Sequence, residues 1–161
     1  MNQGIHSVDL MLWFAGPART VFGRLATQTH RMESEDLALG LVTFESGAQG
    51  SLMASTSIQP GFAPALGLYG EKGTIKLEGA AITHWTVPGV PKPEFPGEQA
   101  SAGVATPKLS NSRHHQRQIE DVLAAIEEGR VPLVSGEDGR RAVRFVEALY
   151  ESGAQGRLVA V

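Results

Sequence analysis

Between residues 20 and 87 the chain reads as a run of short strands joined by turns, and that spacing constrains the fold more than any other feature. Spans 20–30, 37–45, 49–58, 65–70, 74–78 and 81–87 carry alternating or β-branched residues and are bounded by Gly, Pro and Ser. The alternation is plainest in the third span, where Leu52, Ala54, Thr56 and Ile58 oppose Ser51, Met53, Ser55 and Ser57. Ser46-Gly47 marks one turn, and Glu71-Lys72-Gly73 a tight hairpin. A parallel pair needs a crossover of about a dozen residues or more, so strands this close predict a largely antiparallel sheet.

Helical signals flank the strands. A first helix is predicted over 3–14, with Ile5, Val8, Met11 and Leu12 forming its stripe and Gly16-Pro17 stopping it. From Leu10 to Phe14 it is apolar on all sides, which predicts burial, with only its polar N-terminal end near solvent or ligand. Residues 88–111 hold prolines 88, 91, 93, 96 and 107, and predict a long irregular loop. Two amphipathic helices follow. The first shows Ile119, Val122, Leu123 and Ile126 and ends near Gly129; the second opens on Ser135 with Asp138 three residues on, a capping box, and is expected to bury Val143, Val146, Leu149 and Tyr150. Gly153 and Gly156 are expected to end it, and 158–161 to add a last strand. The predicted class is α+β: an open, largely antiparallel sheet with helices packed on one face, in one domain over 1–161.

Strand 37–44 sets Leu37, Leu39 and Leu41 on one face and Ala38, Val42 and Phe44 on the other. Helices cover one face only, so a second subunit is expected on the other. Net charge is −3 with scattered arginines, which argues against a nucleic-acid partner. The absence of cysteine removes disulfides and Cys-based metal sites, and fits a reducing, cytoplasmic compartment. The longest apolar run, 10–15, is far below the roughly 20 residues that span a bilayer, so no membrane partner is expected.

The chemistry concentrates at the first helix. Asn2 and His6 lie four residues apart, one helical turn, and share a face. A neutral imidazole there can move a proton near neutral pH, and an amide one turn earlier can orient a hydroxyl-bearing ligand. A dinucleotide cradle is missing: no two of the 19 glycines are separated by a single residue, so G-x-G-x-x-G is nowhere written, nor is G-x-x-x-x-G-K-[ST]. No cofactor-binding residue and no metal ligand is therefore expected within this chain. The helix begins at once, so Met1 reads as an internal residue of a longer protein or as a true start.

Three ordered blocks carry a family resemblance: Asn2-Gln3-Gly4-Ile5-His6-Ser7-Val8-Asp9-Leu10, Leu68-Tyr69-Gly70-Glu71-Lys72-Gly73-Thr74-Ile75, and Ser135-Gly136-Glu137-Asp138-Gly139-Arg140-Arg141-Ala142. Together with the helix–sheet–helix order they resemble the C-terminal domain of the Gfo/Idh/MocA oxidoreductases, almost end to end. The resemblance implies an N-terminal dinucleotide-binding Rossmann domain outside this chain, NAD or NADP held mainly by it, and a sugar, inositol or related polyol as substrate. It also implies a homodimer or homotetramer formed through the open sheet face. The family pattern D-x-x-x-H falls on Asn2 and His6, so His6 takes the catalytic acid/base place while Asn2 departs from the acidic form. Asn offers only neutral hydrogen bonds where an Asp would add charge. The family's E-K-P motif belongs to the other domain, and Glu71-Lys72-Gly73 imitates it only superficially.

Plainer readings stand beside these. His6 could serve a loop carbonyl, and Asn2 suits a helix N-cap as well as substrate contact. Asp9 could orient His6 or cap a neighbouring loop. His114 and His115 open the second helix as surface residues, and His30 and His84 fall in predicted strands without converging ligands. Ser51, Ser55 and Ser57 lack a nucleophile-elbow context and fit alternation on a sheet. The alternative function is a non-catalytic small-molecule-binding or dimerisation module of the same fold.

Overall fold

The strand pattern is realised as two antiparallel sheets. The computed structural model describes residues 3–94 and 113–161. The chain forms two compact units, Met1–Ser57 with Pro107–Val161, and Ile58–Thr106. The first unit holds α1 (Gly4–Ala15), β1 (Ala18–Ala26), β2 (Leu37–Phe44), β3 (Gln49–Ser55), α2 (Arg113–Glu128), α3 (Gly136–Gln155) and β7 (Val159–Ala160). Its sheet runs β3-β2-β1-β7. The second unit is the sheet β4-β5-β6, made of Ala65–Gly70, Gly73–Glu78 and Ala81–Thr86.

Period-two alternation decides the faces of the larger sheet. Gly23 pairs with Gly40, which pairs with Leu52, on the inner side; the outer rows are Phe22, Leu41 and Ser51, then Arg24, Leu39 and Met53. Ala38, Val42 and Phe44 are buried while Leu39 and Leu41 are exposed, as the pattern of β2 predicts. In the smaller sheet Leu66, Leu68, Ile75 and Leu77 are half-buried, whereas Tyr69, Lys76 and His84 are exposed. Trp85 closes the end of that unit by donating from its indole Nε1 to the Val90 carbonyl at 2.9 Å.

α3 is the covering layer. Its start is the predicted capping box: Ser135 Oγ accepts from the Asp138 amide at 3.3 Å, and Asp138 Oδ2 accepts from the Ser135 amide at 2.8 Å. Gly156, at φ 64°, closes it with a left-handed cap. The helix crosses β1 so closely that a Cβ on Gly23 would lie 2.6 Å from the Leu149 carbonyl oxygen. β7 pairs with β1 only at Thr20 and Val21. Beyond it, the Gly23 amide donates to Ser152 Oγ at 2.8 Å, and that hydroxyl donates to the Arg157 carbonyl.

Several expectations are corrected. The buried face of α3 is Ala142, Phe145, Ala148, Leu149 and Ser152. Val143 points outward, because in a helix it sits about 100° round from Ala142 and so falls off the face that 142, 145, 148, 149 and 152 share. Gly153 lies within α3 and does not end it, and a Cβ there would meet Leu25 at 2.9 Å. β1 stops at Ala26, not at residue 30, since residues 27–36 turn around Asp36. β3 stops at Ser55, where the Thr56 amide leaves the ladder for the Asp36 carbonyl at 3.0 Å. α1 buries Val8 and Met11 and packs on α3, yet Trp13 at its end is 76% exposed, against the expected burial. The apolar stripe of α2 is likewise exposed. Of the long predicted loop, residues 88–94 are neither helix nor strand, and 95–111 lie outside the described residues.

Replacing Ser152 by Ala strands the Gly23 amide and the Arg157 carbonyl, and is expected to lower stability by about 1–3 kcal/mol. Urea unfolding reads this directly. An unchanged midpoint would show that the hydroxyl contributes nothing.

Candidate active site

His6 sits in the first turn of α1, where the preceding Gln3 offers no side-chain cap. Its backbone amide donates to the Gln3 carbonyl at 3.3 Å. The imidazole is exposed and makes no hydrogen bond or ion pair among the described residues. This is the arrangement of a side chain that reaches toward solvent or ligand, and it differs from a packed histidine serving a loop carbonyl. Asp9, one turn on, is also exposed and makes no bond to His6. Asn2 lies outside the described residues.

The other candidates separate from this point. His30 lies in a loop, not a strand, with Nδ1 3.4 Å from Asp36 Oδ2. His84, on β6, shares a 2.9 Å hydrogen bond with Thr86 Oγ1. His115 is exposed at the start of α2. Ser55 Oγ donates to the Asp36 carbonyl at 2.9 Å and accepts from the Ser57 amide at 3.0 Å, so it organises backbone and attacks nothing. Among the described residues no three His, Cys, Asp or Glu side chains gather closely enough to hold a metal ion.

Asp36 is a strongly perturbed group, as is its neighbour Glu35, lowered to about 2. The Asp36 carboxylate accepts from the amides of Gln28 at 2.9 Å, Thr29 at 2.6 Å and His30 at 2.9 Å. These bonds, the one from His30 first, hold it far below the ordinary carboxylate range. A carboxylate so fully occupied stays ionised at neutral pH and is no proton shuttle. It is a loop anchor. Sequence inspection does not single it out, because Glu33, Glu35 and Asp36 crowd one polar stretch.

A cleft of about 560 Å³ opens between the second half of α1 and the start of α3, with Leu10, Trp13, Leu133 and Val134 among its walls. His6 is not part of its lining. The acidic groups Glu137 and Asp138 there are already paired, with Arg140 and Arg141. Asp9, which also lines the cleft, makes no ion pair among the described residues. Among the described residues, glycines with positive φ close helices at 16, 129 and 156 or turn the chain at 47, 73, 79 and 89. None leads from a strand into a helix, the arrangement a pyrophosphate requires.

The α+β unit with its open antiparallel sheet has counterparts among known proteins. The family model of the oxidoreductase C-terminal alpha/beta domain, Gfo/Idh/MocA, matches residues 1–161, and the chain belongs to that family. It is 27% identical to D-apiose dehydrogenase of Rhizobium rhizogenes, over 98% of this chain and 47% of that protein. The WlbA dehydrogenase of Bordetella pertussis, solved in complex with NADH and UDP-GlcNAcA, superposes with a TM-score of 0.78 at 25% identity, over 100% of this chain and 44% of its own. The aldose-aldose oxidoreductase of Caulobacter crescentus shares the fold, with a TM-score of 0.75 at 24% identity, over 98% and 46%. The chain thus spans about half the length of the relatives it matches. No helix among the described residues is long and apolar enough to cross a membrane.

The lowered acidity constant of Asp36 has a signed consequence. Its contribution to stability is complete above the ordinary value of 3.8 and is lost as pH falls through the lower folded-state value. Asp36→Asn removes it at every pH. Calorimetric melts are expected to show the variant well below the parent at pH 7, with the gap narrowing from pH 4 downward. A constant gap would place the anchor elsewhere.

Proposed function

We propose that this chain is the C-terminal, substrate-binding and oligomerisation domain of a longer NAD(P)-dependent oxidoreductase that acts on a sugar, inositol or related polyol in the cytoplasm. The observation that carries the reading is His6, an exposed and unpartnered imidazole at the N-terminal turn of α1 in a chain of this family. The sugar class draws support from a D-apiose dehydrogenase and from a dehydrogenase in complex with NADH and UDP-GlcNAcA among its relatives.

NAD or NADP, held mainly by the half of the protein outside this chain, supplies hydride exchange with a carbinol carbon. His6 takes the hydroxyl proton on its neutral imidazole nitrogen during oxidation and returns it in reduction. Positioned proton transfer of this kind is worth about 10²–10⁴ in rate. Asn2 holds a substrate hydroxyl by neutral hydrogen bonds. The outer sheet face, with Leu41 61% and Met53 64% exposed beside Phe22 and Leu39, is buried by a second copy in a homodimer or homotetramer.

In the full-length enzyme, His6→Ala is expected to cut turnover by roughly 10²–10⁴ with little change in cofactor affinity or melting temperature. Near-parental turnover would make His6 structural and favour the non-catalytic module. Calorimetric titration of the 161-residue chain with NADH or NADPH is expected to show no binding. The dimer has its own test. Leu41→Glu is expected to shift sedimentation equilibrium from an associated species to the 17.1 kDa monomer, and a parent already monomeric at micromolar concentration would remove the sheet-face interface.

A further inference from the structure

The acidic residues of this chain avoid one place entirely. Of its 17 Asp and Glu residues, none falls within β1, β2, β3 or β7, the strands of the larger sheet. That sheet carries two cations instead, Arg19 and Arg24, both on β1. Arg19 sits at the irregularity that opens the strand, between Ala18 and Thr20. Arg24 stands on the outer face, in one row with Leu39 and Met53. These three, with Phe22, Leu41 and Ser51, line a shallow basin of about 450 Å³. Arg24 is exposed, has no ion pair among the described residues and is the one charged group of the basin.

A face that pairs with its own copy cannot correct this imbalance. In a two-fold interface both subunits present the same patch, so each Arg24 arrives with a second Arg24 and with no carboxylate from either sheet. The apolar rows favour the contact. Enclosing two unpaired guanidiniums opposes it, because a charge taken out of water needs a counter-charge. The basin offers only a neutral partner, the Ser51 hydroxyl. An oxyanion fits the planar guanidinium fork bidentately, and one with several oxygens can serve two forks at once.

We propose that the outer sheet face associates around a bound tetrahedral oxyanion of the phosphate type, held by Arg24 of two copies with the Ser51 hydroxyl as a further donor. The inference rests on the reading that a second copy covers this face. The anion is then a condition of assembly: with it the seam is neutralised, and without it two like charges are left in apolar surroundings. A carboxylate reaching Arg24 from another part of the second copy would make association indifferent to dissolved anions, which is the outcome the experiment separates.

Sedimentation equilibrium of the full-length protein reads the link, in chloride and with low-millimolar inorganic phosphate at equal pH and ionic strength. Phosphate at that level is too dilute for the general strengthening of apolar burial that concentrated phosphate produces. It is expected to tighten association at least ~tenfold. A parent monomeric in chloride and associated in phosphate is the extreme form of that result. Arg24→Leu is expected to lose the response and to associate in chloride more tightly than the parent does there. An associated parent that ignores phosphate would overturn the inference, as would an Arg24→Leu protein that responds to phosphate as the parent does. An Arg24→Leu protein that dissociates in both buffers would overturn it too, since the guanidinium is then paired by the second copy directly. Leu41→Glu separates the two readings. Association broken by Leu41→Glu yet blind to phosphate sinks the anion link alone, whereas a parent monomeric in both buffers, or association that survives Leu41→Glu, sinks the sheet-face interface and the anion link with it.

Discussion

The crossing of α3 over β1 at Gly23 is the contact on which the larger unit depends. A glycine there lets the helix backbone approach the strand to a distance that no side chain would permit, and Leu149 fills the resulting seam. Ser152 then takes the strand amide that two-residue β7 leaves unpaired, so the approach costs no buried donor. α1 packs on the helix so placed. The same crossing determines what stays uncovered: the opposite face of the sheet, and the sides of the helices turned away from it.

That division of surfaces organises the functional reading. The mouth of α1 keeps His6 in solvent, while the second half of the same helix lines a cleft whose charges are mostly paired internally. His6 and the cleft-lining residues thus occupy different stretches of one 12-residue helix. The strongest titration shift in the larger unit belongs to neither, because Asp36 spends its carboxylate on three backbone amides. A perturbed carboxylate is a functional candidate only when something remains for it to do.

Short-range rules were legible in the sequence. The capping box at Ser135 and Asp138, the hairpin at Glu71-Lys72-Gly73 and the two-faced pattern of β2 depend on residues a few positions apart, and all are found as read. What escaped depends on partners distant in sequence. Apolarity alone favours Val143 for the buried face of α3, whereas the orientation of the helix on β1 turns the 142, 145, 148, 149 and 152 face inward. Periodicity announces the stripe of α2 and says nothing of what meets it. Of the site, the place of His6 at a helix mouth was readable from spacing, but its assignment as an acid/base came from the family resemblance, and the cleft beside α1 gave no sign in the sequence. The loop anchored by Asp36 hid among three neighbouring acids, since burial is decided by amides several residues away.

The way that loop is held has a consequence for variation. Its path from residue 27 to 36 is set by backbone amides converging on Asp36, with Thr27 Oγ1 donating to the Ser34 carbonyl at 2.7 Å as a further tie. The side chains of Gln28, Thr29, Arg31, Met32 and Glu33 point outward. Recognition written on those five positions can be rewritten without redrawing the loop, so a library randomised there and constant at Thr27 and Asp36 would display many surfaces on one unchanging frame.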